Sequence, residues 1–166
     1  DYKPMHKSAA ARAVEPSLLS MHNGRWYCYG RVPGSEHIHL FAFARINNLT
    51  LTGRTYLHTE QTHDPRPLLR HSFGVAISSD PTQNVVLEFE PKVTQRVKES
   101  HWHPDQELVD LPGDRLRLTM PLNTTLEISP WILSWGPYVT VVSPPELVVK
   151  MADTVQRMLA NYTEPT

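Results

Sequence analysis

His22-Asn23-Gly24-Arg25-Trp26-Tyr27-Cys28-Tyr29-Gly30-Arg31-Val32 is the stretch on which the fold turns. Asn23-Gly24 tolerates the positive φ that a two-residue hairpin turn needs, so one strand ends before it and another begins after it. From Arg25 onward the residues alternate. Trp26, Cys28 and Gly30 fall on one face, Tyr27 and Tyr29 on the other. Working backwards, Val14 to Met21 is mostly apolar and supplies the partner strand. Working forwards, Pro33-Gly34-Ser35 is a second turn signal. His37 to Ala44 then alternates again, with His37, His39, Phe41 and Phe43 on one face and Ile38, Leu40, Ala42 and Ala44 on the other. Arg45 to Leu51 is expected to continue as a short strand, ending at Thr52-Gly53-Arg54. Short strands at such close spacing predict a small antiparallel barrel.

Beyond the barrel the pattern changes. Residues 57–67 carry little periodicity and read as a linker, although Asp64-Pro65 is also a helix opening, with Leu68-Leu69 as its apolar face. Phe73 to Ser78 and Val85 to Glu90 read as strands separated by a Ser-Asp-Pro turn at 79–81. Pro91 to Ser100 fits a helix, with Pro91 at its first position and Val93 and Val97 four apart. Gln106 to Asp110 and Arg115 to Pro121 frame the hairpin signal Pro112-Gly113-Asp114. Thr124 to Trp135 reads as a short helix, Tyr138 to Val142 as a β-branched strand, and Pro144 to Tyr162 as the longest helix. The expected fold class is α+β: a small antiparallel β-barrel followed by a split-βαβ, ferredoxin-like α+β domain. The expected divisions are a barrel domain over 1–57, a linker or short helix over 58–72, and the α+β domain over 73–166.

Composition narrows the functional classes. The chain has 166 residues, 40% of them apolar and 20% charged. No run of about 18 apolar residues is present to span a membrane as a helix, and no charged segment followed by an apolar one reads as a signal peptide. Cys28 is the single cysteine, so there is neither an internal disulfide nor a cysteine zinc cage. The net charge of −1 hides an asymmetry. Residues 1–80 hold nine Lys+Arg against six Asp+Glu, with seven of the nine histidines, while residues 81–166 hold seven against eleven. Two fused modules with different partners is the natural reading. Asp rather than Met at position 1 reads as a piece of a longer chain.

The search for chemistry is mostly negative. His37-x-His39 and His101-x-His103 have metal-ligand spacing on a strand, but no third ligand is defined for either, and no metal is expected. There is no Gly-x-Ser-x-Gly elbow and no phosphate-cradling Gly-x-x-x-x-Gly-Lys loop, so no enzyme and no cofactor are expected. Cys28 reads as a small buried hydrophobe. Asn48, Asn123 and Asn161 open glycosylation sequons that carry no meaning without a signal peptide. What remains is Arg12, Arg25, Trp26, Tyr27, His39 and Arg45, on or next to consecutive strands. Arginine offers a fork for phosphates and aromatics offer stacking faces for bases. The competing reading is an ordinary solvated barrel face with aromatics in the core.

Several stretches together resemble a known family. Arg12-Ala-Val-Glu-Pro16, Gly24-Arg-Trp-Tyr-Cys28, Phe41-Ala-Phe-Ala-Arg45-Ile46 and Leu51-Thr-Gly-Arg-Thr-Tyr56 resemble the WYL domain, with Trp26-Tyr27-Cys28 at its naming tripeptide. Ser72-Phe-Gly-Val75, Trp102-His-Pro104, Trp131-Ile-Leu-Ser-Trp-Gly136 and Val139 through Pro145-Glu146-Leu147 resemble the C-terminal extension that follows WYL domains in bacterial regulators. The resemblance implies an Sm-like or SH3-like barrel, with Tyr2-Lys3-Pro4 ending its first strand. It also implies a helix-turn-helix DNA-reading domain upstream, a homodimer built with help from the extension, and a cytoplasmic location. By the same resemblance the barrel senses a nucleotide or single-stranded nucleic-acid effector through Arg12, Arg25, Tyr27, His39 and Arg45. His39 stands where many members carry Arg, which removes a cation from that set. Trp26 is expected in the core. The functional expectation is a ligand-sensing and dimerisation region of a bacterial transcriptional regulator. A self-association or protein-interaction module with no small effector is the alternative.

Overall fold

The computed structural model describes residues 10–57, 59 and 64–163; the expected strand end at Tyr2-Lys3-Pro4 lies outside them. The chain divides into two compact units, Asp1–Ile77 and Ser78–Thr166. The charge asymmetry follows this division: the first unit holds nine Lys+Arg against five Asp+Glu, the second seven against twelve.

The first unit is built on a three-stranded antiparallel sheet of β1 (Glu15–His22), β2 (Arg25–Arg31) and β3 (Ile38–Ala42), in that order. Among the described residues it does not close into a barrel. The β1–β2 turn forms because Asn23 and Gly24 both take positive φ, 48° and 71°. The next turn is closed by the Ser35 N–H donating to Val32 O at 2.9 Å. The Arg31 guanidinium also donates to Ser35 O, at 3.0 and 2.6 Å. A register irregularity between Pro16 and Leu18 bends β1. There Gly30 lies against the opposite backbone, and a β-carbon on it would sit 2.7 Å from Glu15 O. Tyr29 is fully buried, and Cys28 and Phe41 nearly so.

Two strands expected from the sequence do not form. After β3 the chain enters a 3-10 turn, Phe43–Arg45, and no strand runs through 47–51. Asn48 takes φ 53°, a left-handed conformation that no strand accommodates. Residues 73–77 are irregular as well. The carbonyls of Val75 and Ala76 accept from the hydroxyls of Tyr29 and Ser72. The alternative at the linker does form: α1 (Arg66–Leu69) follows Asp64, whose carboxylate accepts the Arg66 N–H at 3.0 Å.

The second unit reads β4 (Gln83–Phe89), α2 (Pro91–Lys98), β5 (Glu107–Leu111), β6 (Arg115–Leu122), α3 (Ile128–Ser134), β7 (Val139–Ser143) and α4 (Pro145–Thr163). Its sheet order is β5-β6-β4-β7 with every neighbour antiparallel, which is the split-βαβ arrangement. The period of two is plain in β6, where Leu116, Leu118, Met120 and Leu122 are buried and the residues between them are not. Val85, Leu87 and Phe89 of β4 share that face by register. Val97, Ile128, Ile132, Leu147 and Met151 are the buried helix residues of this unit's apolar core. Each such aliphatic side chain contributes roughly 1.5–3 kcal/mol on burial. Trp131 and Trp135 of the α3 end meet Phe89 edge-on at 6.1 and 5.4 Å.

Candidate nucleic-acid interface

The first sheet sorts its side chains by register. Leu19 opposes Cys28, Met21 opposes Trp26, Gly30 opposes His39, and Cys28 opposes Phe41. These residues share one face. Ser20, Tyr27 and Ala42 are aligned on the other, with Leu18, Tyr29 and Leu40. Arg25 and Tyr27 therefore lie on one face and His39 on the opposite one. Arg45 ends the 3-10 turn after β3, and Arg12 precedes β1. The sheet brings Arg25 and Tyr27 together two residues apart, and it does not bring His39 to them.

Burial separates these residues further. Arg12, Arg25 and His39 are exposed, while Tyr27 and Arg45 are half-buried. The Arg12, Arg25 and Arg45 guanidinium groups form no hydrogen bond or ion pair with another described residue. Arg54 is also without a side-chain partner among the described residues, whereas several other arginines are held. Arg31 is bound to Ser35 O, Arg66 to Asp64, and Arg115 and Arg117 to Glu88. Open forks in a unit with an excess of cations suit an anion. The His39 ring lies 3.3 Å from the Ser35 hydroxyl and 6.2 Å, centroid to centroid, from the Phe41 ring.

Trp26 corrects the sequence expectation. It is 51% exposed rather than buried, and its neighbours Met21 and Leu19 are 63% and 56% exposed. The physical reason is position. Trp26 sits one residue after Arg25 at the hairpin tip, where that sheet face has no covering layer among the described residues. Cys28, two residues further in, is buried as expected. Burial pushes its thiol above the usual cysteine range, so it remains protonated and inert at neutral pH.

Of the histidine pair of the second unit, His103 has a local structural role and His101 is exposed. His103 is buried, and its Nδ1 accepts the Asp105 N–H at 3.1 Å. The Gln106 side-chain oxygen accepts the N–H groups of Trp102 and His103. This holds the loop between α2 and β5. No helix of the described residues is long and apolar enough to cross a membrane.

A basic, sheet-based unit followed by an acidic split-βαβ unit defines a two-module α+β protein. Residues 1–51 match the WYL domain and residues 81–159 match the WCX domain, so the chain belongs to the WYL-domain proteins that carry a WCX extension. A comparison with curated proteins finds no match. Among solved structures, the chain is similar to proteasome accessory factor B/C (PafBC) of Arthrobacter aurescens, at 20% identity and a TM-score of 0.44. That alignment covers 99% of this chain and 25% of the other, so this chain spans about a quarter of that protein's length.

Proposed function

We propose that this chain is the effector-sensing and dimerisation region of a bacterial transcriptional regulator. Its WYL unit binds a nucleotide or a single-stranded nucleic acid through Arg25 and Tyr27, which share a sheet face, with Arg12 and Arg45 as further cations; His39, on the opposite face, stands outside that set. The observation that carries this is that Arg12, Arg25, Arg45 and Arg54 have no side-chain partner among the described residues, in a unit of nine cations and five carboxylates. The action is binding rather than catalysis, and it takes place in the cytoplasm. The effector favours one arrangement of a homodimer, which changes how DNA-reading domains elsewhere in the full protein are spaced on an operator. A labelled oligonucleotide titrated by anisotropy at low and high salt tests this reading. Binding at low salt that weakens with salt and with Arg45→Ala is expected. No binding at low salt removes the proposal.

One observation favours a second reading, self-association without an effector. On α4, Leu147 and Met151 are buried, but Val155, Met158, Leu159 and Tyr162 continue their stripe at helical spacing and are exposed. Light scattering beside calorimetry separates the two readings. A dimer lost in Leu159→Glu, with no heat on adding nucleotides, favours the second.

A further inference from the structure

We infer that the tryptophan cluster of the second unit, with Lys92 and Arg96 of α2 beside it, is a binding site for a small aromatic carboxylate. The site lies wholly within that unit and is independent of the reading given for the first.

Two cations of α2 stand without a counter-charge. Of the seven in the unit, Arg115 and Arg117 are held by Glu88, Lys98 by Asp110 and Arg157 by Asp153. Lys92, Arg96 and Lys150 have no carboxylate partner among the described residues. Lys92 and Arg96 are one helical turn apart, and each lies over an aromatic ring instead. Lys92 Nζ is 4.7 Å from the Tyr138 ring centroid, and the Arg96 guanidinium carbon is 5.0 Å from that of Trp135. Lys92 also donates to the Tyr138 hydroxyl at 2.7 Å. A π-face attracts a cation without neutralising it, so both remain open to an anion.

The rings beside them form a fixed, half-open aromatic surface. Trp102 meets Trp131 at 4.8 Å between centroids and Trp135 at 6.0 Å, and Trp131 meets Trp135 at 5.5 Å. Trp102 and Trp131 are half-buried and keep ring surface open to solvent. Trp102 is held in place by its indole N–H, which donates to Val97 O at 2.9 Å. Trp135 differs: it is 6% exposed, and its indole N–H is buried without an acceptor among the described residues. Few buried N–H groups are left so. Arg96, exposed and tied to no carboxylate, is the side chain over that ring. An anion held by Arg96 brings an acceptor to the same indole. Donors without acceptors, beside open aromatic rings, call for a ligand with acceptor oxygens on a planar ring. Its charge is limited too. A unit of seven cations and twelve carboxylates repels a polyanion, whereas one carboxylate suits one guanidinium fork.

Fluorine NMR of the fluorotryptophan-labelled chain, titrated with 2-naphthoate, tests this. Trp26 is the one tryptophan of the first unit, and Trp26→Phe assigns its resonance against those of the cluster. 2-Naphthoate is expected to move the cluster resonances and leave that of Trp26 in place. 2-Naphthamide keeps the rings without the charge, and cyclohexanecarboxylate keeps the charge without the aromatic ring. Each is expected to bind roughly tenfold more weakly than 2-naphthoate. Arg96→Gln is expected to weaken 2-naphthoate roughly tenfold, and Arg96→Lys less. Thermal melting of each variant confirms that it is folded. 2-Naphthamide binding as tightly as 2-naphthoate, or an unaffected Arg96→Gln, reduces the cluster to an apolar surface and overturns the inference. Cluster resonances that stay in place at millimolar 2-naphthoate overturn it as well, whatever the first unit binds.

Discussion

The Tyr29 phenol donates to the Val75 carbonyl at 2.8 Å, tying the middle strand of the first sheet to a segment 46 residues further on. Tyr29 is fully buried and Val75 nearly so. The bond fixes the irregular segment around Val75 to the sheet. Tyr29→Phe keeps the ring and removes the bond. It is expected to lower stability by about 1–2 kcal/mol. In urea unfolding the midpoint should fall with little change in slope, since the buried surface is nearly the same. Amide exchange should quicken first around residues 73–77.

Gly30 and Gly24 are glycines for different reasons, and the difference is measurable. At Gly30 an added β-carbon meets Glu15 O at 2.7 Å and Val14 Cγ1 at 2.8 Å, and one of these is backbone that does not yield easily. At Gly24 nothing lies within 4 Å, but φ is +71°. Gly30→Ala is therefore expected to cost about 1–3 kcal/mol through overpacking at the bend of β1. Gly24→Ala is expected to cost about 1 kcal/mol through the turn alone. Thermal melting of the two variants side by side checks the order.

Glu88 lies between Arg115 and Arg117 on β6, and Arg117 holds it at 2.6 and 3.2 Å. The hydrogen bond from Arg117 comes first in holding its pKa below the usual glutamate value. Burial partly opposes this, and the charges of Arg115 and Arg117 reinforce it. A carboxylate whose pKa is lowered in the folded state stabilises the fold at pH above its unfolded value, near 4.5. That contribution fades as pH falls from there through the lower folded value. Both guanidinium groups are about two-fifths exposed, 39% and 42%, so water screens the pair. The expected cost of Glu88→Gln at pH 7 is roughly 1 kcal/mol or less. Denaturant melts at pH 7 and pH 3 should show the gap between wild type and Glu88→Gln narrow on acidification.

Local signals were legible wherever residue type carries the geometry. Asn23-Gly24 and Gly113-Asp114 fix the sign of φ within the turn itself, and both hairpins form. The alternation of Leu116 to Leu122 fixes which side of β6 faces the helices. Non-local causes were not legible. Nothing near Phe73 signals that Tyr29 will occupy the Val75 carbonyl. Asn48 permits a left-handed residue without demanding one, so the strand expected over 45–51 had no visible stop. Trp26 failed for a related reason. Alternation says which residues share its face, but not whether another layer covers that end of the sheet. For the candidate site, the charge of the first unit was readable from counts alone. Which cations stand without partners was not, because Arg31 and Arg45 look alike until the Ser35 carbonyl is seen to hold one of them.

The arginines separate by commitment, and salt dependence reads that separation. Every phosphate neutralised on a single strand adds about 0.7 to the magnitude of the slope of log affinity against log salt. Arg12, Arg25 and Arg45 have no side-chain partner among the described residues and are free to make such contacts. If each takes one phosphate, the three together give a slope of about −2. Replacing any one of them by Ala is then expected to flatten the slope by about 0.7 and to weaken binding at low salt more than at high salt. Arg117→Ala is the matched control, because that guanidinium is held by Glu88, and its slope should equal the wild-type value. Anisotropy titrations over a salt series measure each of these slopes. An Arg45→Ala slope equal to that of the wild type would remove Arg45 from the phosphate contacts, whatever its effect on affinity.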